Sequence, residues 1–284
     1  MGMPNLETLN LDNCDDVEEV DDSLGYCGKL IGLDLGYCRS LKRFPCVNVE
    51  SLEFLHLRDC SSLEKFPEIR GRMKPELKIE MKDSGIRELP LSFFQSGTHL
   101  TELDLCYMEN LVSLPSSIGM LKTLVELDVS HCIKLKSLLE EIGRLESLVE
   151  LDVSSCTKLE SLPEEIGDLE NLEKLDARYT LISRPPSSIA RLNKLKFLSF
   201  KKQKSEVGLE DGVCFVFPQV NDGLRSLEDL DLSYCNLIDG GLPEDIGSLS
   251  SLKELRLAGN NFEHLPRSIA QLGALRCLKL ATLA

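Results

Sequence analysis

The sequence predicts an α/β solenoid, a coil of short stacked repeats with parallel strands along its concave face. Three observations predict it. Leucines recur as L-x-x-L-x-L at Leu6, Leu30, Leu52, Leu100, Leu124, Leu148, Leu172, Leu195, Leu227, Leu252 and Leu275, a step of about 24 residues. Most copies continue x-x-C-x-x-L-x-x-L-P-x-x-I-G-x-L, as from Leu148 through Cys156, Leu159, Leu162, Pro163, Ile166, Gly167 and Leu169. Within a copy the apolar spacing changes from two, in Leu151 and Val153, to three, in Ile166, Leu169 and Leu172. Together these define a leucine-rich-repeat solenoid, or horseshoe. Its parallel β-sheet lies on the concave face and its short helical or irregular returns lie on the convex face.

Each part of the copy has its own chemistry. Spacing of two belongs to a strand, so Leu151 and Val153 point inward and Asp152 points out of the concave face. The return opens on Leu-Pro, where proline suits the first position of a helical turn. Glu164-Glu165 or Ser116-Ser117 then suit its positive end. Spacing of three fits a short 3₁₀ or α turn packed inward. Where the strand ends, cysteine recurs as Cys14, Cys38, Cys60, Cys132, Cys156 and Cys235, with Asn260 and Thr180 as substitutes and Met108 as an exception. Asn or Cys there hydrogen-bonds the turn backbone from inside the bend while filling apolar space.

Between Leu52 and Leu100 a degenerate copy keeps the register through Ile79 and Met81, with Leu77 one place late, which makes about twelve copies. The whole chain, 1–284, is expected to form one array, an uncapped fragment of a larger protein, with an irregular longer copy at 195–226. There the step lengthens to about 32 residues and "FKKQKSEVGLEDGVCFVFPQ" replaces the expected return.

Composition narrows the function. The chain has 284 residues, with 47 Asp and Glu against 32 Lys and Arg, a formal charge of −15. Such a chain repels nucleic acid and acidic membranes, so neither is expected as a partner. No apolar window of membrane-spanning length and no signal-peptide pattern occurs. The 11 cysteines are an odd number, and no Asn stands two positions before Ser or Thr. Both features point to a reducing, cytoplasmic setting with free thiols, the nucleus being a further possible location. His56 and His131 lie near ladder cysteines, yet no second ligand pair at metal spacing accompanies them, so neither metal nor cofactor is expected. No copy assembles a nucleophile, a base and oxyanion donors, which excludes an enzyme.

The stretches "LDLSYCNLIDGGLPEDIGSLSSLKEL" and "LESLPEEIGDLENLEKLDA" resemble the leucine-rich-repeat region of plant intracellular disease-resistance receptors, the class with a Toll/interleukin-receptor-like domain and a nucleotide-binding domain. The resemblance covers almost the whole chain. It implies a sensor that recognises a pathogen protein, with a viral one foremost, and that controls a nucleotide-binding switch leading to the hypersensitive defence response. The nucleotide-binding domain is then a second partner. No G-x-x-x-x-G-K-S/T loop occurs, so the switch itself is absent from this chain. Two rival classes remain: an intracellular scaffold for signalling proteins such as small GTPases, and an inhibitor that covers a basic enzyme site. Asn in the ladder and a step of about 23 residues are commoner in such scaffolds.

Three sets of residues are expected to contact partners. The middle strand position carries Asp104, Asp128, Asp152 and Asp176 in succession, then Asp231 and Arg256, with Glu102, Glu126 and Glu150 alongside. Exposed on this reading, Asp128, Asp152 and Asp176 should tolerate charge reversal without loss of fold. The position beside the cysteine ladder carries Tyr37, Tyr107, His131, Tyr179 and Tyr234, and tyrosine is an enriched interface anchor. Finally, no acidic residue occurs between Asp176 and Glu206, where Arg178, Arg184, Arg191, Lys194, Lys196, Lys201, Lys202 and Lys204 accumulate. Long irregular segments on a rigid scaffold often carry function.

Overall fold

Alternating leucines build one three-residue strand per copy, because only the central side chain of each strand must be buried. A computed structural model describes residues 3–204 and 214–280. Four concave strands, β1 (Thr8–Asn10), β2 (Gly32–Asp34), β4 (Phe54–His56) and β6 (Lys78–Glu80), form one parallel sheet in chain order. Eight more follow in a second sheet: β7 (Glu102–Asp104), β8 (Glu126–Asp128), β9 (Glu150–Asp152), β10 (Lys174–Asp176), β11 (Phe197–Ser199), β12 (Asp229–Asp231), β13 (Glu254–Arg256) and β14 (Cys277–Lys279). Equivalent residues pair throughout, Leu127 with Leu151 and Leu151 with Leu175. A small sheet on the descending side pairs β3 (Val47–Asn48) with β5 (Ile69–Arg70).

Behind the strands the leucines of successive coils form one continuous core. Leu124, Leu148, Leu172 and Leu195 are fully buried in it. Beyond each strand, main-chain bonds carry the stacking into the turn: Leu105 N–H donates to the Asp128 carbonyl (2.8 Å) and Tyr107 N–H to the Ser130 carbonyl (2.9 Å). The ladder side chains complete the inner turn. Sγ of Cys60, Cys132, Cys156 and Cys235 donates to the carbonyls of Leu35, Leu105, Val129 and Phe200 at 3.0–3.3 Å. Asn260 makes three bonds: Nδ2 donates to the Leu232 and Leu257 carbonyls, and Oδ1 accepts from Leu237 N–H. Burial pushes the thiols of Cys60, Cys156 and Cys235 up to about 12, so they remain neutral donors.

Convex returns are mostly single 3₁₀ turns, such as Ser116–Met120, Glu164–Asp168 and Ser187–Arg191. Proline takes the extended residue just before the turn rather than its first helical position: Pro163 has φ −71° and ψ 156°. The fixed proline φ suits that entry as well, and no amide is lost because this position donates none. The return before β7 differs, with a true α-helix, α1 (Leu91–Ser96), whose Phe93 and Phe94 are fully buried. The main sheet is interrupted at this point, between β6 and β7. At the long copy, by contrast, the sheet continues: Leu198 pairs with Leu230 across the insertion. Residues 205–213, which include Glu206, lie outside the described residues.

Leu139 occupies the proline position of the Glu140–Arg144 turn with φ −83° and ψ 162°, and it is 39% exposed. Its amide donates no hydrogen bond among the described residues. Leu139→Pro should therefore stabilise the array by about 0.4–1 kcal/mol by restricting the unfolded chain. A higher urea midpoint at unchanged slope is the expected result, and a lower midpoint would show that the turn entry is under a constraint that proline cannot meet.

Candidate binding face

A tight bend follows each strand and leaves the amide two residues past the strand's last side chain without a ladder partner. Aspartate at that last position meets the need. Asp104, Asp128, Asp152, Asp176 and Asp231 accept from the amides of Cys106, Ser130, Ser154, Arg178 and Ser233 at 2.7–3.1 Å. Asn10 does the same for Asp12 N–H at 2.9 Å. The column therefore holds the bends, which corrects the expectation that Asp128, Asp152 and Asp176 are free to be reversed: a lysine there cannot accept the amide.

Two of the column's acids are also buried, against expectation. Asp176 is 1% exposed and binds Arg178 through both oxygens, with Nε at 2.8 Å and Nη2 at 2.6 Å. Asp231 is 8% exposed. Arg256 is held by Asp229 and Glu254 at 2.5 Å each. Asp176 and Arg178 thus satisfy each other, and Arg256 is satisfied by Asp229 and Glu254. Burial raises the Asp152 carboxyl above its ordinary range, with Asp176 and Asp128 adding repulsion, while bonds from Ser154 oppose the rise.

Exposed acids that meet no cation sit together on β7 and β8. Glu102, Asp104 and Glu126 are exposed and, among the described residues, form no ion pair. The other strand glutamates find cations: Glu150 meets Lys174 at 2.8 Å, Glu80 meets Arg58 at 3.8 Å, and Glu254 meets Arg256 at 2.5 Å. Glu126, Asp128, Glu150, Asp152 and Lys174 line a shallow cleft of about 100 Å³.

The tyrosine row turns out to occupy left-handed backbone. Tyr37, Tyr107, His131, Tyr179 and Tyr234 have φ between 58° and 62°, as do Asn13 at 60° and Ser155 at 60°. Such φ values disfavour bulky residues, so a packing reward is required at each. It is visible at three places. Tyr107 stacks on His131 at 4.2 Å with Lys82 over its other face at 4.2 Å. Tyr37 lies between Arg39 and Arg58. Lys201 reaches over Tyr179 at 6.0 Å. Beside Tyr234, Gly259 (φ 70°) leaves room for the ring, since a Cβ there would lie 2.3 Å from Tyr234 Cδ1.

Of the basic segment, Lys204 is exposed and Lys201 half-buried. Lys202 turns inward and donates to the carbonyls of Thr180 and Ile182, so its charge serves the fold rather than the surface. Beside the insertion a cleft of about 440 Å³, lined by Arg184, Val216, Ile238 and Asp239 among others, was not foreseen from the sequence. Nor was the approach of Asp104, Cys106 and Asp128 to within 4.8 Å of one another. Both carboxylates there already accept amides, and burial pushes the Cys106 thiol up to about 12. No helix among the described residues is long and apolar enough to cross a membrane.

This architecture defines a leucine-rich-repeat interaction scaffold, a class of protein-binding modules that are not enzymes. Its repeats are those of plant disease-resistance proteins: residues 48–143 match the family model "Disease resistance protein RPS4B-like, leucine-rich repeats", and 226–249 and 251–272 match "Leucine Rich Repeat". The chain is 63% identical over 98% of its length to TMV resistance protein N of Nicotiana glutinosa, and spans 22% of that protein. Disease resistance protein RPP2A of Arabidopsis thaliana is 34% identical over 39% of the chain, which spans 8% of it. Among solved structures, the leucine-rich-repeat protein LIC12759 of Leptospira interrogans aligns with 98% of this chain and 79% of its own, at 25% identity and a TM-score of 0.52.

Asp152→Asn keeps the acceptor for Ser154 N–H, as Asn10 demonstrates, and removes a half-buried charge; Asp152→Ala leaves the amide of buried Ser154 unpaired. At pH 7 the Asn variant should be at least as stable as the parent and the Ala variant about 1–2 kcal/mol less stable. Because the folded carboxyl binds its proton more tightly than the unfolded one, its contribution falls as pH rises through the raised value, and Asn should remove that slope. Equal losses for Asn and Ala in urea titrations would show that the charge, not the acceptor, is what the bend needs.

Proposed function

We propose that this array is the ligand-sensing and autoregulatory region of a plant immune receptor. It recognises a pathogen protein that presents lysine or arginine side chains, and it controls the receptor's nucleotide-binding switch in the cytoplasm, with the nucleus as a second site of action. The observation that carries the proposal is the contiguous patch of exposed carboxylates that meet no cation among the described residues, at Glu102, Asp104 and Glu126, whereas Glu150 and Glu80 of neighbouring strands meet Lys174 and Arg58. Exposed like charges on neighbouring strands oppose folding slightly, and a cationic partner relieves that repulsion. Kinship with a protein named for resistance to a virus supports a viral ligand and the hypersensitive defence response as output. Tyr107 and His131 flank the patch as rigid aromatic contacts, and Tyr179 and Tyr234 extend the row. Lys201 and Lys204 supply the opposite charge for an acidic partner, which on this reading is the receptor's own nucleotide-binding domain.

The test uses the two glutamates that cap no bend. In the full-length receptor, Glu102→Lys with Glu126→Lys should abolish the cell-death response to the pathogen protein at matched expression, with the fold retained, since exposed changes cost within about 0.5 kcal/mol. Lys201→Glu with Lys204→Glu should instead give cell death without the pathogen protein, because a restraining contact is lost. Parental behaviour from both pairs would overturn the proposal.

A further inference from the structure

We infer that the boundary between β6 and β7 is a hinge, at which the concave face opens and closes while the convex side stays packed. The main-chain ladder is complete on either side of it. Leu57 N–H donates to the Glu80 carbonyl at 2.7 Å and Asp59 N–H to the Lys82 carbonyl at 2.9 Å; one coil beyond, Leu105 and Tyr107 donate to Asp128 and Ser130 at 2.8 and 2.9 Å. At the boundary the corresponding donors are Met81 and Asp83, and the acceptors are the carbonyls of Asp104 and Cys106. Among the described residues no such bond joins them, and β6 and β7 end two separate sheets.

Side chains take the place of the ladder. Lys82 lies over the Tyr107 ring, and Tyr107 in turn stacks on His131. Such contacts slide and re-form at small cost, whereas paired strands separate only by breaking several hydrogen bonds. The far side of the coil remains tied. Val112 N–H donates across the boundary to the Arg87 carbonyl at 3.4 Å, and α1 packs against the Ser116–Met120 turn of the next coil. A joint closed on one side and unlaced on the other turns about the closed side.

The local cause is α1. An α-helical turn is wider and rises less per residue than the 3₁₀ turns of the other returns, so the coil that carries it does not stack at their spacing. One lip carries Lys78 and Lys82 together with Asp83 and with Glu80, which Arg58 meets at 3.8 Å; the two lysines attract Glu102 and Asp104 on the other lip. That attraction favours closure and weakens with salt. Because β7 begins the unpaired acidic patch, a ligand that spans both lips selects one setting of the hinge and so changes the angle between the two arms.

The test is made on the 284-residue chain itself. Amides of Met81, Asp83 and the β7 strand should exchange with deuterium at least about tenfold faster than those of Val129, His131 and Val153, their counterparts in intact coils. Lys82→Cys places a thiol at the position equivalent to native Cys106 one coil on. Bridging the two with oxidised glutathione should slow exchange at the lips about tenfold and narrow the spread of shapes in small-angle X-ray scattering, both reversed by reductant. Equal exchange at the boundary and in the intact coils of the parent overturns the hinge, and that arm decides even if the variant does not fold. Fast lip exchange with scattering that is identical in bridged and reduced protein also overturns it, since it denotes a fixed gap.

Discussion

Every coil of this array must turn its backbone sharply at the end of a strand, against a core of leucine that offers no hydrogen-bond partners. An unpaired peptide group there costs about 1–3 kcal/mol, and the bend recurs in every copy. In the regular coils two side chains meet the demand. From inside, the ladder residue donates to a carbonyl, as Cys132 does to Leu105 and Asn260 to Leu232. At the rim, an acid accepts an amide, as Asp128 does from Ser130. Cysteine suits the inner role because its raised pKa keeps it a neutral donor and its bulk is apolar; aspartate suits the outer one because the rim is partly wet.

This division decides which surface is left for recognition. The most visible acidic feature, the aspartate column, is committed to the backbone, and at Asp176 to Arg178 as well. Two residues earlier in the strand, Glu102 and Glu126 hold no bend and meet no cation among the described residues. They are the part of the acidic field that a partner can use without disturbing a turn. The tyrosine row is intermediate, since its left-handed backbone serves the bend while its rings remain half-exposed and stacked, as in Tyr107 on His131.

Periodicity revealed the coil because burying leucine is a demand repeated in every copy, and the register predicted through Ile79 holds, with Ile79 paired to Leu55. Three features escaped that reading for physical reasons. Alternation places Asp176 on the outward face, but burial there depends on how Arg178 folds back over it, and no period encodes that. A long insertion between Leu198 and Leu230 looked like the break in the array, yet the sheet passes it unbroken, with Leu198 paired to Leu230. The interruption falls instead where the step is regular, since Phe93 and Phe94 change the kind of return without changing its length. Likewise Lys202 belongs to a basic run in sequence but spends its charge on the Thr180 and Ile182 carbonyls.

The central claim is that one concave face carries two neighbouring columns with different tasks, aspartates that hold the bends and glutamates that meet the partner. A structure of the intact receptor bound to the pathogen protein that activates it tests this most directly. The account predicts lysine or arginine side chains of that protein within about 4 Å of Glu102 and Glu126, with Asp128 and Asp152 still bonded to the amides of Ser130 and Ser154. A ligand seated only on the convex returns, with the acidic patch open to solvent, would contradict it.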